Sequence, residues 1–263
     1  MRMSCILLFI LFSPLANGST AEVLPPVSQR FAEADGAEVP DFQRHVVPLL
    51  GRLGCNGRAC HGSFQGQGGF RLSLFGYDFE SDHAALTKGE KPRVDRKEPP
   101  KSLILEKPTL AIDHDGGERY EAGGWEYHLL RRWIEAGAQG RPNEHAELVG
   151  LEISPEEIVF QKPGETVPLQ VIARWSDGWN EDVTPLCRFQ TNDESIATVN
   201  PAGAVKSLGK GDTHVVATSW SPCTLGEGAS DVPPTVVPEF AGPTVNGFGA
   251  WVENREVRAA KVA

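Results

Sequence analysis

The chain has 263 residues with 28 glycines and 20 prolines, long enough for two small domains with loops between them. Its net charge of -10 argues against nucleic acid as a partner; such a surface keeps an exported chain soluble or steers a basic partner. Beyond the N-terminus no stretch approaches ~20 consecutive apolar residues, so no membrane-spanning helix is expected in the mature chain.

Residues 1–18 read as a secretory signal. Arg2 is the charged start, Cys5 to Phe12 the apolar core, and Ala16-Asn17-Gly18 the small-residue site after Pro14. Export to the periplasm or cell surface is expected. Cleavage would remove Cys5, leaving four cysteines, of which Cys187 and Cys223 have no spacing that suggests a framework and read as structural. From Asp41, the residues Phe42, Val46, Leu49, Leu50 and Leu53 recur at spacings of three and four. They predict an amphipathic helix that ends at Gly54.

That helix leads into Cys55-Asn56-Gly57-Arg58-Ala59-Cys60-His61. Two thiols followed directly by an imidazole are what covalent attachment of one c-type haem requires: the sulfurs of Cys55 and Cys60 form thioethers and His61 ligates the iron. The usual spacer is two residues and here it is four. Residues three apart on a helix are rotated by ~300°, whereas five apart gives ~500°, so the segment cannot be regular helix throughout. Gly57 is the residue expected to supply the permissive backbone for a bulge. Two other readings compete: a disulfide between the two thiols, or a structural zinc held by Cys55, Cys60 and His61.

Gly66 to Gly69 precede alternating Phe70, Leu72 and Leu74, a pattern for a glycine-led strand or hairpin, either a wall of the haem pocket or a surface hairpin. Arg93 and Arg96 either pair with haem propionates or belong to a solvated charged face, the more ordinary role in a loop rich in Lys and Glu. A second amphipathic helix is predicted from Gly124 to Gly137. Trp125, Leu129, Leu130, Trp133 and Ile134 lie on one face, and Arg131, Arg132 and Glu135 on the other. His45 and His128 fall on helices, and His83 and His145 in polar surroundings; each alone reads as a surface residue.

After a linker at 141–148 the period becomes two, with Leu151, Ile153, Ile158, Val167, Leu169 and Val171 alternating with polar residues between short turns. A β-sandwich is predicted over 149–219. Asp177, Asp182 and Asp193 sit in its turns, where acids serve as caps far more often than as calcium ligands. Residues 220–263 read as a poorly ordered tail.

Three stretches carry a resemblance: GCNGRACHGSFQGQGGFRLSLFGYD, KSLILEKPTLAIDHDGGERY and GGWEYHLLRRWIEAGA. Together they resemble the planctomycete-type cytochrome c domain. LEISPEEIVFQKPGETVPLQVIARWSDGWNEDVTP and FQTNDESIATVNPAGAVKSLGKGDTHVVATS resemble a bacterial Ig-like group 2 domain. The resemblance implies a multidomain chain: a small all-α cytochrome c-like domain at 38–140 plus an all-β Ig-like sandwich serving as spacer or adhesive module. In small cytochromes the sixth iron ligand is a methionine shortly before the last helix. Here the only methionines are Met1 and Met3, within the expected signal, and the matching loop reads Ile112-Asp113-His114-Asp115-Gly116-Gly117. His114 is the candidate distal ligand; otherwise it is a solvated loop residue and the haem is five-coordinate.

The expected function is single-electron transfer with a soluble or membrane-bound redox partner, and a cell-surface partner for the Ig-like domain. The competing expectations are a surface adhesion or scaffold protein in which the haem is secondary, and peroxidase-like or gas-sensing chemistry at an open sixth site. No nucleophile triad, phosphate loop or paired-carboxylate motif supports a hydrolase or transferase.

Overall fold

Short helices punctuated by proline and glycine make up the first half of the chain, as a computed structural model shows for residues 22–89, 91–219 and 254–259. The expected signal at 1–18, Cys223 and the rest of the expected tail apart from 254–259 lie outside the described residues. Among the described residues the α-helices are α1 (Val27–Arg30), α2 (Val47–Arg52), α3 (Phe79–Thr87), α4 (Leu103–Glu106) and α5 (Trp125–Glu135). A π-turn over Phe42–Val46 runs directly into α2, started by the Asp41 carboxylate, which accepts from the Arg44 backbone N–H at 2.7 Å. None of the helices among the described residues is long and apolar enough to cross a membrane.

The apolar faces of the π-turn, α2 and α5 meet in a fully buried core, where the Phe42 and Trp133 rings stack 5.6 Å apart. Arg132, expected on the polar face of α5, is buried instead. Its guanidinium donates to the carbonyls of Arg30 and Glu38 and lies 4.6 Å over the Phe31 ring. A long side chain on the flank of a helix can thus bind a neighbouring segment through carbonyls that have no other use.

The second half is β-structure. Its strands are β1 (Val23–Leu24), β2 (Leu148–Ser154), β3 (Glu157–Ile158), β4 (Thr166–Pro168), β5 (Gln170–Trp175), β6 (Asn180–Asp182), β7 (Arg188–Thr191), β8 (Ala197–Val199), β9 (Ala204–Ser207), β10 (Thr213–Thr218) and β11 (Asn254–Ala259). They form three sheets, ordered β1-β6-β5-β2, β3-β11-β10-β7 and β4-β9-β8. β1, from the start of the described chain, pairs parallel with β6, and β11, from within the stretch expected to be a disordered tail, pairs antiparallel with β10. The turn acids are locally engaged: Asp193 accepts from Ser195, Asp182 from Gln170 and Thr184, and Asp177 from Arg44 and Trp179.

The expected fold class, a small all-α cytochrome c-like domain plus an all-β Ig-like sandwich, is corrected by this architecture. The described residues hold eleven strands against five α-helices, the longest of 11 residues, and no compact all-α domain is present among them. Pro92, Pro99, Pro100 and Pro108 interrupt the middle of the first half and keep its helices short. Their apolar faces meet one another and the β-structure in one core: Val27, Phe31, Leu49 and Trp133 belong to the same buried cluster as Leu151, Val171, Trp175 and Leu186. A second cluster, including Phe160, Val205 and Val215, lies wholly within the β-structure.

One buried polar node ties the two halves. Glu181 on β6 accepts from Arg30 at 2.6 Å and from the Trp175 indole N–H at 3.0 Å, and lies 3.0 Å from His45 Nε2. The Asp41 backbone N–H donates to His45 Nδ1 at 2.9 Å, so Nδ1 carries the lone pair and Nε2–H is the donor to Glu181. Burial alone would raise the Glu181 carboxyl. The His45 bond and the Arg30 charge outweigh it and hold the group down at about 2.

Candidate functional site

The segment from Cys55 to Gly62 closes into a compact loop through its own backbone. The His61 N–H donates to the Cys55 carbonyl at 2.9 Å, the Cys60 N–H to Gly57 at 3.0 Å and the Gly62 N–H to Gly57 at 3.1 Å. This closure accommodates the four-residue spacer. The residue that permits it is not Gly57, as the spacing predicts, but Gly62, where a Cβ would stand 1.9 Å from the Asn56 carbonyl oxygen. Gly62→Ala is expected to lower stability by roughly 1–3 kcal/mol, the usual cost of overpacking, measured by urea denaturation.

Past the loop, Gln67 and Phe70 form a single antiparallel bridge across the glycines, and no strand follows. The Leu72 N–H donates to the His61 carbonyl at 2.8 Å, which lays Phe70 and Leu72 along the site. Leu50 of α2, Leu86 of α3, Ile104 of α4 and Leu130 of α5 complete the apolar walls of a cavity of about 260 Å³. The periodicity of α2 and α5 made Leu50 and Leu130 legible as apolar-face residues; that these faces also wall a cavity was not.

Cys55, Cys60, His61 and His114 all line this cavity. Both thiols are free, and burial pushes the Cys55 thiol up to about 12, with the Arg119 charge opposing. His61 Nδ1–H donates to the Phe70 carbonyl at 3.1 Å, and His114 Nδ1–H to the Gly117 carbonyl at 2.8 Å. A carbonyl can only accept, so each Nδ1 carries a hydrogen and each neutral ring keeps its lone pair on Nε2, the arrangement of a metal-ligating histidine with its second nitrogen anchored. Burial lowers the His61 pKa, which favours the neutral, ligating form; the Phe70 bond opposes the shift and His114 adds to it.

The glycines after His114 serve the imidazole. A Cβ at Gly116 would come within 2.7 Å of the His114 ring, which folds back over that residue. A backbone carbonyl, that of Gly117, holds Nδ1. Lys107 Nζ donates to the Asp113 carbonyl at 2.8 Å and steadies the same loop.

Four of the five other histidines bond outside the cavity. His45 bonds Glu181, His83 the Ala138 carbonyl, His128 the Ala32 carbonyl and His145 Glu147. Of the two arginines considered for haem carboxylates, Arg93 lines the cavity, whereas Arg96 donates to the Gly137 and Ala138 carbonyls at the end of α5. Arg119, Lys107 and Tyr120 also line it and were not foreseen; the GERY run after the His114 loop is the signal that would have found two of them.

No three or more His, Cys, Asp and Glu side chains come together among the described residues as an all-protein metal site. Haem makes no such demand, because the porphyrin brings four nitrogens and asks the protein only for axial ligands. Two thiols, two imidazoles with anchored Nδ1, apolar walls and cationic side chains fit a flat apolar macrocycle with an acidic rim. No protein-family model matches the chain, and no curated protein matches it.

Proposed function

We propose that this is an exported, haem-carrying electron-transfer protein: one c-type haem held through Cys55 and Cys60, His61 and His114 as its axial ligands, and an Ig-like spacer following. The observation that carries the reading is the convergence of these four residues on one apolar cavity from two segments far apart in the chain. The resemblance to the planctomycete-type cytochrome c domain and the bacterial Ig-like group 2 domain belongs to this proposal, on its quoted motifs and without an all-α fold.

Bound here, haem supplies an iron that takes up and returns one electron. The chain's part is to fix the two imidazoles through the Phe70 and Gly117 carbonyls, present the thiols, and exclude water with Leu50, Leu72, Ile104 and Leu130. The partner is a soluble or membrane redox protein in the periplasm or at the cell surface.

A redox titration with optical spectra tests this. Imidazole on both faces gives a lower potential than imidazole with thioether, and no methionine charge-transfer band. His114→Ala is expected to open one face, so that the reduced protein binds carbon monoxide rapidly where the parent binds it slowly. A strongly positive potential, or equally fast binding by both, overturns the assignment of His114.

A further inference from the structure

The cationic side chains at the cavity are not equivalent. Most arginines outside it that form ion pairs do so with nearby carboxylates: Arg30 with Glu181, Arg52 with Glu126, Arg131 with Glu135 and Arg174 with Glu152. Arg93 has no carboxylate partner among the described residues, and its buried Nε, like those of Arg30, Arg52 and Arg132, lacks a hydrogen-bond partner. Its guanidinium lies 4.7 Å over the Phe70 ring, whose backbone carbonyl anchors His61. A guanidinium half withdrawn from water beside an apolar cavity, in a chain of net charge -10, is an arrangement that an anionic ligand group completes.

Arg119 has a different employment, since its Nη2 donates to the Cys60 sulfur at 3.8 Å and so stands at the thiol end. Lys107 is bound to the Asp113 carbonyl. In haem the vinyl groups that would meet the thiols and the two propionates lie on opposite edges of the ring. Arg93 is therefore the cation left for the acidic edge.

We propose that Arg93 receives a carboxylate on the rim of the ligand, a haem propionate, and thereby orients the macrocycle in the cavity; this rests on the haem reading above. Arg93 is a positioning residue: it touches the ligand's rim and leaves the iron to the two histidines. The cavity then selects tetrapyrroles with free carboxylates and binds them before any thioether forms.

The test uses the full chain with Cys55→Ala and Cys60→Ala, titrated with iron-free protoporphyrin IX and with its dimethyl ester. The free acid is expected to bind more tightly than the ester. Adding Arg93→Gln should weaken the acid about tenfold or more and leave the ester unchanged, with Arg93→Lys restoring part of the loss. Equal weakening of both ligands, no weakening of either, or no preference for the acid overturns the proposal.

Should the double variant not fold, the covalently loaded parent gives a second reading. Arg93→Gln should lower its reduction potential, because a cation that favours the reduced iron is gone, and Arg93→Lys should recover it; an unchanged potential overturns the proposal. Intact mass of the parent after maturation separates the two claims. A mass without haem overturns the haem reading, whereas a haem-bearing parent indifferent to Arg93 overturns this inference alone.

Discussion

Cys55→Ala combined with Cys60→Ala is expected to abolish haem retention on a denaturing gel completely, while the parent chain, co-expressed with a c-type maturation system, keeps its stain. The intact mass should fall from polypeptide plus one haem to bare polypeptide. The expectation follows from the loop: the His61 N–H bond to the Cys55 carbonyl fixes the two thiols and the imidazole in one turn of chain, and all three face the same cavity. Single variants should each retain one thioether and therefore some stain, with a pyridine haemochrome band shifted by the vinyl left unsaturated. A parent chain with no added mass would overturn covalent attachment altogether.

Glu181→Ala is expected to cost about 3–5 kcal/mol of stability, the range for removing one partner of a buried ion pair. It takes from the Arg30 guanidinium the more buried of its two carboxylate partners, leaving Glu38, and leaves His45 Nε2–H and the Trp175 indole without their acceptor, where the helices meet the sheet. Urea denaturation of the variant against the parent measures it. The same carboxylate sets an acid limit. Its folded pKa of about 2 lies below the ordinary value near 4.5, so its contribution is fully present above that ordinary value and is lost as pH falls toward 2. That linkage amounts to about 3 kcal/mol, and Glu181→Gln should flatten the parent's stability loss between pH 4.5 and 2. A variant as stable and as acid-sensitive as the parent would sink this account of the interface.

The Asp41 start, the apolar stripe to Leu53 and the run from Trp125 to Glu135 were readable in sequence because capping and 3.6-residue periodicity act over a few residues. The alternation in 149–219 was readable for the same reason. Arg132 was misplaced because periodicity assigns a face but cannot see that Arg30 and Glu38 carbonyls wait on that flank. The pairing of β1 with β6 and of β11 with β10 was invisible, since two and six residues without strong alternation gain their partners only from distant chain.

For the candidate site, residue identity and spacing singled out Cys55, Cys60 and His61 from the sequence by itself, through chemistry that a short motif carries, and the resemblance to a cytochrome c domain added His114. Tertiary structure decided that these four share one cavity, that Phe70 and Gly117 set their tautomers, that Arg93 faces in while Arg96 caps a helix, and that the helices close their core on a sheet. Such outcomes depend on which apolar surfaces, brought together from far along the chain, bury the most area, and no local pattern encodes that sum.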